Sequence, residues 1–282
     1  MEPTIYTAKA GNVEMRYFTF GEGTKDMVIL PGLSLISVME SAEAVAGAYE
    51  MFAKEYRVWL FDRRENLPTG YTIPDMADDT AKVMKELNIR NAYVFGASQG
   101  GMIATCLAAE YPDLVRKLIL ASTAATGKEL SENIVIKGWI KLAEERKLRE
   151  LILSFLEMNY TKETFLTLKD SVSDMEKMVG ESETERFIFL AKTTGAYCLS
   201  DEAGKIKCPV LVLGAYGDRI FDSREIKDLA AKCHGDLYLY EGYSHAVYDE
   251  APDYKGRILA FFHDDAVEGK MENPLDRLYS VW

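Results

Sequence analysis

Only three histidines occur in 282 residues, and the four cysteines (Cys106, Cys198, Cys208 and Cys233) form no Cys-x-x-Cys pair. A zinc site is therefore not expected, no residue is assigned as a metal ligand, and free thiols in a reducing cytoplasm are the expectation. Positive charge is also scarce, with 33 Lys and Arg against 45 Asp and Glu and a formal charge of −12. Nucleic acid and anionic membrane would be repelled, so neither is expected as a partner, and the acidic surface reads as a solubility feature. No apolar run approaches the roughly 18 residues of a membrane span. The start, Met1-Glu2-Pro3-Thr4, shows no basic segment leading into an apolar one, so no secretory signal is expected. Internal repeats and low-complexity segments are absent.

What is present is a rhythm. Two strands, Ile5 to Ala8 and Val13 to Phe20, are expected around a turn at Gly11-Asn12. Short apolar runs follow at Met27–Leu30, Val58–Phe61, Ala92–Phe95, Leu118–Leu120, Val210–Leu213 and Leu237–Tyr240. Runs this continuous suit strands buried on both faces. Helices are expected between them. Met76, Thr80, Val83, Met84 and Leu87 share one helical face, and a second helix runs from near Ser98 to Tyr111-Pro112. Two more, about 224–232 and 253–262, flank the last strand. Such alternation predicts a doubly wound α/β sheet. It breaks between about Thr123 and Lys207, where only helical patterns occur, including one from Phe165 through Met178. The division expected is a core of residues 1–122 and 208–282 with an all-helical cap at 123–207.

Gly96-Ala97-Ser98-Gln99-Gly100 has the form Gly-x-Ser-x-Gly and falls between an apolar strand and an apolar helix. A serine at so sharp a turn sits at a helix N-terminus, where free N–H groups and peptide dipoles favour developing negative charge. Its hydroxyl needs a base. His263 reads as a surface residue, and His234, in Lys232-Cys233-His234-Gly235, as a cation at a helix end capped by glycine. His245, in the loop after the Leu237–Tyr240 run, lies at the same sheet edge as Ser98. An acid must then orient the imidazole. Asp218, following Val210–Leu213, and Asp62, following Val58–Phe61, both reach that edge; the chain order serine, acid, histidine favours Asp218. The backbone amides of Leu33 and Gln99 are the expected oxyanion donors.

Pro31-Gly32, the Gly96–Gly101 elbow, Gly214-x-x-x-Asp218 and Gly242-x-x-His245 together make the chain resemble capped members of the α/β-hydrolase superfamily. The resemblance implies an eight-stranded, mostly parallel sheet with a cap roofing the active site. It implies no cofactor. Pro31-Gly32 stands where many relatives have His-Gly, and Asp62-Arg-Arg-Glu-Asn66 where many have Asp-x-Arg-Gly-x-Gly. Serine rather than aspartate at the nucleophile position sets aside the dehalogenase and epoxide-hydrolase branches.

The expected reaction is hydrolysis of a small or medium-sized, largely apolar carboxylic ester or thioester through an acyl-enzyme. The same triad serves C–C bond hydrolases, aminopeptidases and lyases, and a low-turnover receptor could keep the pocket. Trp139, Phe155 and Val247 are the expected substrate contacts. The tail 264–282, ending Leu278-Tyr-Ser-Val-Trp282, could dock on the body, and it or the cap could join a second copy.

Overall fold

A computed structural model describes residues 3–125, 133–194 and 200–264. Residues 265–282 of the tail, Cys198 and the cap stretches 126–132 and 195–199 lie outside the described residues. The strands are β1 (Ile5–Ala10), β2 (Val13–Phe20), β3 (Lys25–Leu30), β4 (Tyr56–Arg64), β5 (Ala92–Ala97), β6 (Val115–Ala121), β7 (Val210–Ala215) and β8 (Asp236–Tyr240). They form one sheet in the order β1-β2-β4-β3-β5-β6-β7-β8. The β1/β2 and β2/β4 pairs are antiparallel and all others parallel.

Two apolar cores explain the unbroken hydrophobic runs. Val28, Leu30, Val94, Leu118, Leu120 and Val212 face one side, against α2 (Ile73–Glu86), α3 (Gln99–Glu110) and α10 (Ser223–Lys232). Their neighbours Met27, Ile29, Phe95, Ile119 and Leu213 face the other, against α1 (Ala42–Ala48), α11 (Val247–Glu250) and α12 (Tyr254–His263). Alternate side chains enter opposite cores because the strand period is two, so every position in such a strand must be apolar. Local chemistry sets the helix starts: Thr72 and Asp75 form a capping box on α2, and Asp222 and Glu225 form another on α10.

Between β6 and β7 every described element is helical: α4 (Ile134–Glu144), α5 (Leu148–Asn159), α6 (Lys162–Leu168), α7 (Val172–Met178), α8 (Glu181–Thr194) and α9 (Ser200–Ala203). Trp139, Leu151, Phe187 and Leu190 join the first core, while Ile152, Leu156 and Val172 form a small cluster of their own. The helices over the sheet thus share its core.

Three local expectations need correction. The pattern from Phe165 to Met178 is two helices, separated by a single tight turn at Lys169–Ser171. Helix α1 was not foreseen, because its sequence AEAVAGA buries only Ala42 and shows no apolar stripe. At the end of α10 it is His234, with φ 51°, that takes the left-handed position expected of glycine. The Gly235 amide then donates to Ala230 O at 2.9 Å, closing the helix end.

Candidate active site

Strand β5 ends at Ala97, and Ser98 takes φ 52° and ψ −120°, a conformation that L-residues rarely adopt. Holding a side-chain-bearing residue there costs on the order of 1–3 kcal/mol, so its surroundings must over-determine it. Ser98 N donates to Ala121 O at 2.8 Å, while Ser98 O accepts from Gly101 N at 2.9 Å and from Thr123 Oγ1 at 2.8 Å. The glycines let the backbones close in. A Cβ on Gly96 would stand 2.6 Å from Gly100 O, and one on Gly100 only 2.0 Å from Leu30 O. Helix α3 therefore starts directly against β3, with Ser98 at its N-terminus and half-buried.

Asp218 follows β7 and His245 follows β8, at the same carboxyl edge as Ser98. Asp218 Oδ2 lies 2.8 Å from His245 Nδ1, and both residues are buried. The other carboxylate oxygen accepts from the Ile220 and Phe221 amides at 2.8 and 3.0 Å. A carboxylate so fixed favours the tautomer with the proton on Nδ1, which leaves Nε2 as the basic nitrogen. Among the described residues, no hydrogen bond joins Ser98 Oγ to His245 Nε2. The His245 loop is anchored on both sides: Ala246 N donates to Asn159 O at 2.7 Å, and Ser244 Oγ donates to Met158 O at 3.2 Å. The rival Asp62 serves its own surroundings, accepting from Arg63 N at 2.7 Å and from Ser37 Oγ at 2.5 Å.

The loop after β3 brings Gly32 against the serine, where a Cβ would meet Ser98 Cβ at 3.1 Å and Oγ at 3.8 Å. The amides of Leu33, next along this loop, and of Gln99, first in α3, donate to no described residue. Free N–H groups flanking a serine are the requirement for holding an oxyanion.

A model of the α/β-hydrolase fold matches residues 27–141. The enol-lactonase of Burkholderia xenovorans LB400 superposes with a TM-score of 0.78 over 92% of this chain and 100% of that one, at 20% identity. The chain has the α/β-hydrolase fold. Among sequence relatives, a Mycobacterium phage D29 protein named as a non-heme haloperoxidase is 33% identical over 175 residues, 56% of this chain and 60% of that one. A Pantoea ananatis protein named as carbamate hydrolase RutD is 27% identical over 232 residues, 74% of this chain and 79% of that one. The chain thus spans less than two thirds of the phage relative's length.

Within this fold the three expected substrate contacts separate. Trp139 and Phe155 meet in the cap with ring centroids 4.8 Å apart, and Phe155 meets Phe187 at 6.3 Å. Val247 is fully buried in the second core with Phe95 and Tyr254, on the other side of the sheet. Its side chain has no surface to offer a ligand, which corrects that expectation. Trp139 is also nearly sealed, its indole N–H donating to Ser154 Oγ at 3.1 Å.

Sequence reasoning missed the side chains that buttress the site. Gln99 is fully buried: its Oε1 accepts from Arg63, and its Nε2 donates to Leu190 O at 2.9 Å and Thr194 Oγ1 at 2.7 Å on α8. Arg63 also donates to Pro31 O at 2.6 Å, so one guanidinium ties together the loop carrying Leu33 and the residue carrying the second free amide. The unusual Arg63-Arg64 pair at the end of β4 was the signal available. Among the described residues, no group of three or more His, Cys, Asp or Glu could hold a metal ion, and no helix is long and apolar enough to cross a membrane.

Proposed function

We propose that the protein is a serine hydrolase acting on a small or medium-sized carboxylic ester or thioester through an acyl-enzyme. The observation that carries this reading is the buried 2.8 Å Asp218–His245 contact at the sheet edge that also bears the strained Ser98 elbow. A structural histidine needs no such elbow, and a structural serine does not need a left-handed conformation. The relatives named for hydrolysis support the reaction class.

In this reading His245 Nε2 takes the Ser98 hydroxyl proton as Oγ attacks the carbonyl carbon. The carbonyl oxygen gains the negative charge and receives hydrogen bonds from the Leu33 and Gln99 amides. As the tetrahedral centre collapses, the carbon–leaving-group bond breaks and His245 delivers the proton to the departing alkoxide or thiolate. A water molecule, deprotonated in turn by Nε2, attacks the acyl-enzyme and releases the acid and free Ser98. Asp218 holds the ring and balances the transient imidazolium. Of the cap aromatics, Phe155 keeps partial exposure and offers the apolar side of the acyl site, with Trp139 and Phe187 packed behind it.

A fluorophosphonate probe tests the reading directly. Folded protein should be labelled at Ser98, and both Ser98→Ala and His245→Ala should lose labelling while keeping the wild-type melting profile. Wild-type protein that stays unlabelled beside a reactive control hydrolase would sink the proposal.

A further inference from the structure

Arg63 poses an electrostatic problem that the proposed reaction does not use. It is 5% exposed at the end of β4, yet no carboxylate pairs with its guanidinium among the described residues. Its neighbour Asp62 is occupied by Ser37 Oγ and by the Arg63 amide, and Arg186 stands 4.0 Å from it. Burial pushes the guanidinium down to about 10, which leaves it charged at neutral pH. Asp62, which lines the same cleft, favours the charged guanidinium from a distance but does not hydrogen-bond to it, and a buried cation with a donor left over normally takes a direct partner.

The hydrogen bonds show where that partner belongs. Nε and Nη2 are satisfied by Gln99 Oε1 and Pro31 O. Nη1 donates to no described residue, and it is not among the buried polar atoms left without a partner, so it keeps open surface. That surface gives onto a narrow cleft of about 20 Å³, open to solvent and lined by Gly32, Asp62, Arg63, Gln99, Arg186 and Phe187 among others. Gly32 is also the residue that lies against Ser98. Glu183 reaches the same cleft, but its Oε2 is engaged by the Gly180 amide and Ser182 Oγ at the start of α8.

We propose that this cleft is a subsite for a carboxylate on the substrate's acyl group, with Arg63 Nη1 as its charged donor. The inference rests on the hydrolase reading and alters one part of it: the acyl chain is apolar in its middle, beside Phe187, and acidic at its far end. A carboxylate there gives the guanidinium a direct ion pair and accepts charge-assisted hydrogen bonds.

The test compares methyl esters of straight-chain monocarboxylic acids with monomethyl esters of dicarboxylic acids of matching length. At the best-fitting length, wild-type kcat/KM should be roughly 10- to 100-fold higher for the charged ester, the worth of a hydrogen bond to a charged group. In Arg63→Met that ratio should fall to near unity; using a ratio cancels any general loss from disturbing the oxyanion loop. Calorimetric binding of the same pairs to Ser98→Ala reads the preference without turnover. Absent hydrolysis with a retained binding preference therefore overturns the reaction and not the subsite. A wild-type preference absent at every chain length overturns the subsite, whether or not Arg63→Met folds. A preference that survives in Arg63→Met overturns it equally.

Discussion

Asp218→Asn separates orientation of the histidine from everything else the acid does. The carboxylate makes three buried contacts: two from the Ile220 and Phe221 amides to Oδ1, and one with His245 Nδ1 through Oδ2. An asparagine has one acceptor oxygen. Turning its NH2 toward the two amides would leave two buried donors facing a donor, at about 1–3 kcal/mol each. The oxygen must therefore keep the Oδ1 position, and the NH2 must face Nδ1. A donor there requires Nδ1 to be unprotonated, which moves the proton to Nε2 and leaves no base for Ser98. The expected result is a loss of kcat of about 10³- to 10⁴-fold, the scale of the wrong-tautomer effect in serine proteases and equivalent to about 4–5.5 kcal/mol. Folding should change by less than about 2 kcal/mol, since the amide bonds survive and one charge-assisted bond is replaced by a neutral one. Steady-state hydrolysis of an activated acyl ester gives the first quantity and urea denaturation the second. Substantial activity in Asp218→Asn, with Asp62→Asn the inactive variant, would refute the assignment.

Gly100→Ala should not yield folded protein, because its Cβ would lie 2.0 Å from Leu30 O, whereas Gly138→Ala, with nothing within 4 Å, should gain up to ~1 kcal/mol; soluble yield and melting temperature report both. Gln99→Leu should cost about 1–3 kcal/mol in urea denaturation, since it strands the buried Arg63 Nε, while Nη2 keeps Pro31 O and Thr194 Oγ1 keeps Leu190 O. Asp79→Ala breaks a buried pair with Arg64 at 3.1 Å and removes the acceptor of Tyr71 OH, so a loss of about 3–5 kcal/mol is expected.

The parts that were legible in the sequence share a cause. A strand buried on both faces cannot hide, because each of its residues enters one core or the other; β5 and β7 show this along their whole length. The elbow is legible because close approach of backbones at Gly96 and Gly100 admits no other residue type. Where side chains did not have to be apolar or absent, the reading weakened. Helix α1 buries a single alanine, and the break between α6 and α7 occurs inside a continuous apolar pattern without proline or glycine. Asp62 and Asp218 reach the same edge; chain order favours Asp218, and their hydrogen bonds then separate the two. Arg63 was the least legible of all. Its partners Pro31 and Gln99 are not its neighbours in sequence, so nothing local marks an arginine beside an arginine as buried.

The buttressing side chains also limit how the cap can move. Helix α8 supplies both acceptors of the Gln99 amide group, and the end of α5 supplies the acceptors of Ala246 N and Ser244 Oγ. Displacing α8 would strand a fully buried amide next to a buried guanidinium, and displacing the end of α5 would release the loop that carries His245. Either motion would disturb the proposed catalytic geometry at the moment of substrate entry. An opening that spares both must leave α8 and the end of α5 in place. That requirement assigns α8 and α5 to the fixed frame of the site, with the oxyanion loop held to the first through Gln99 and Arg63 and the histidine held to the second.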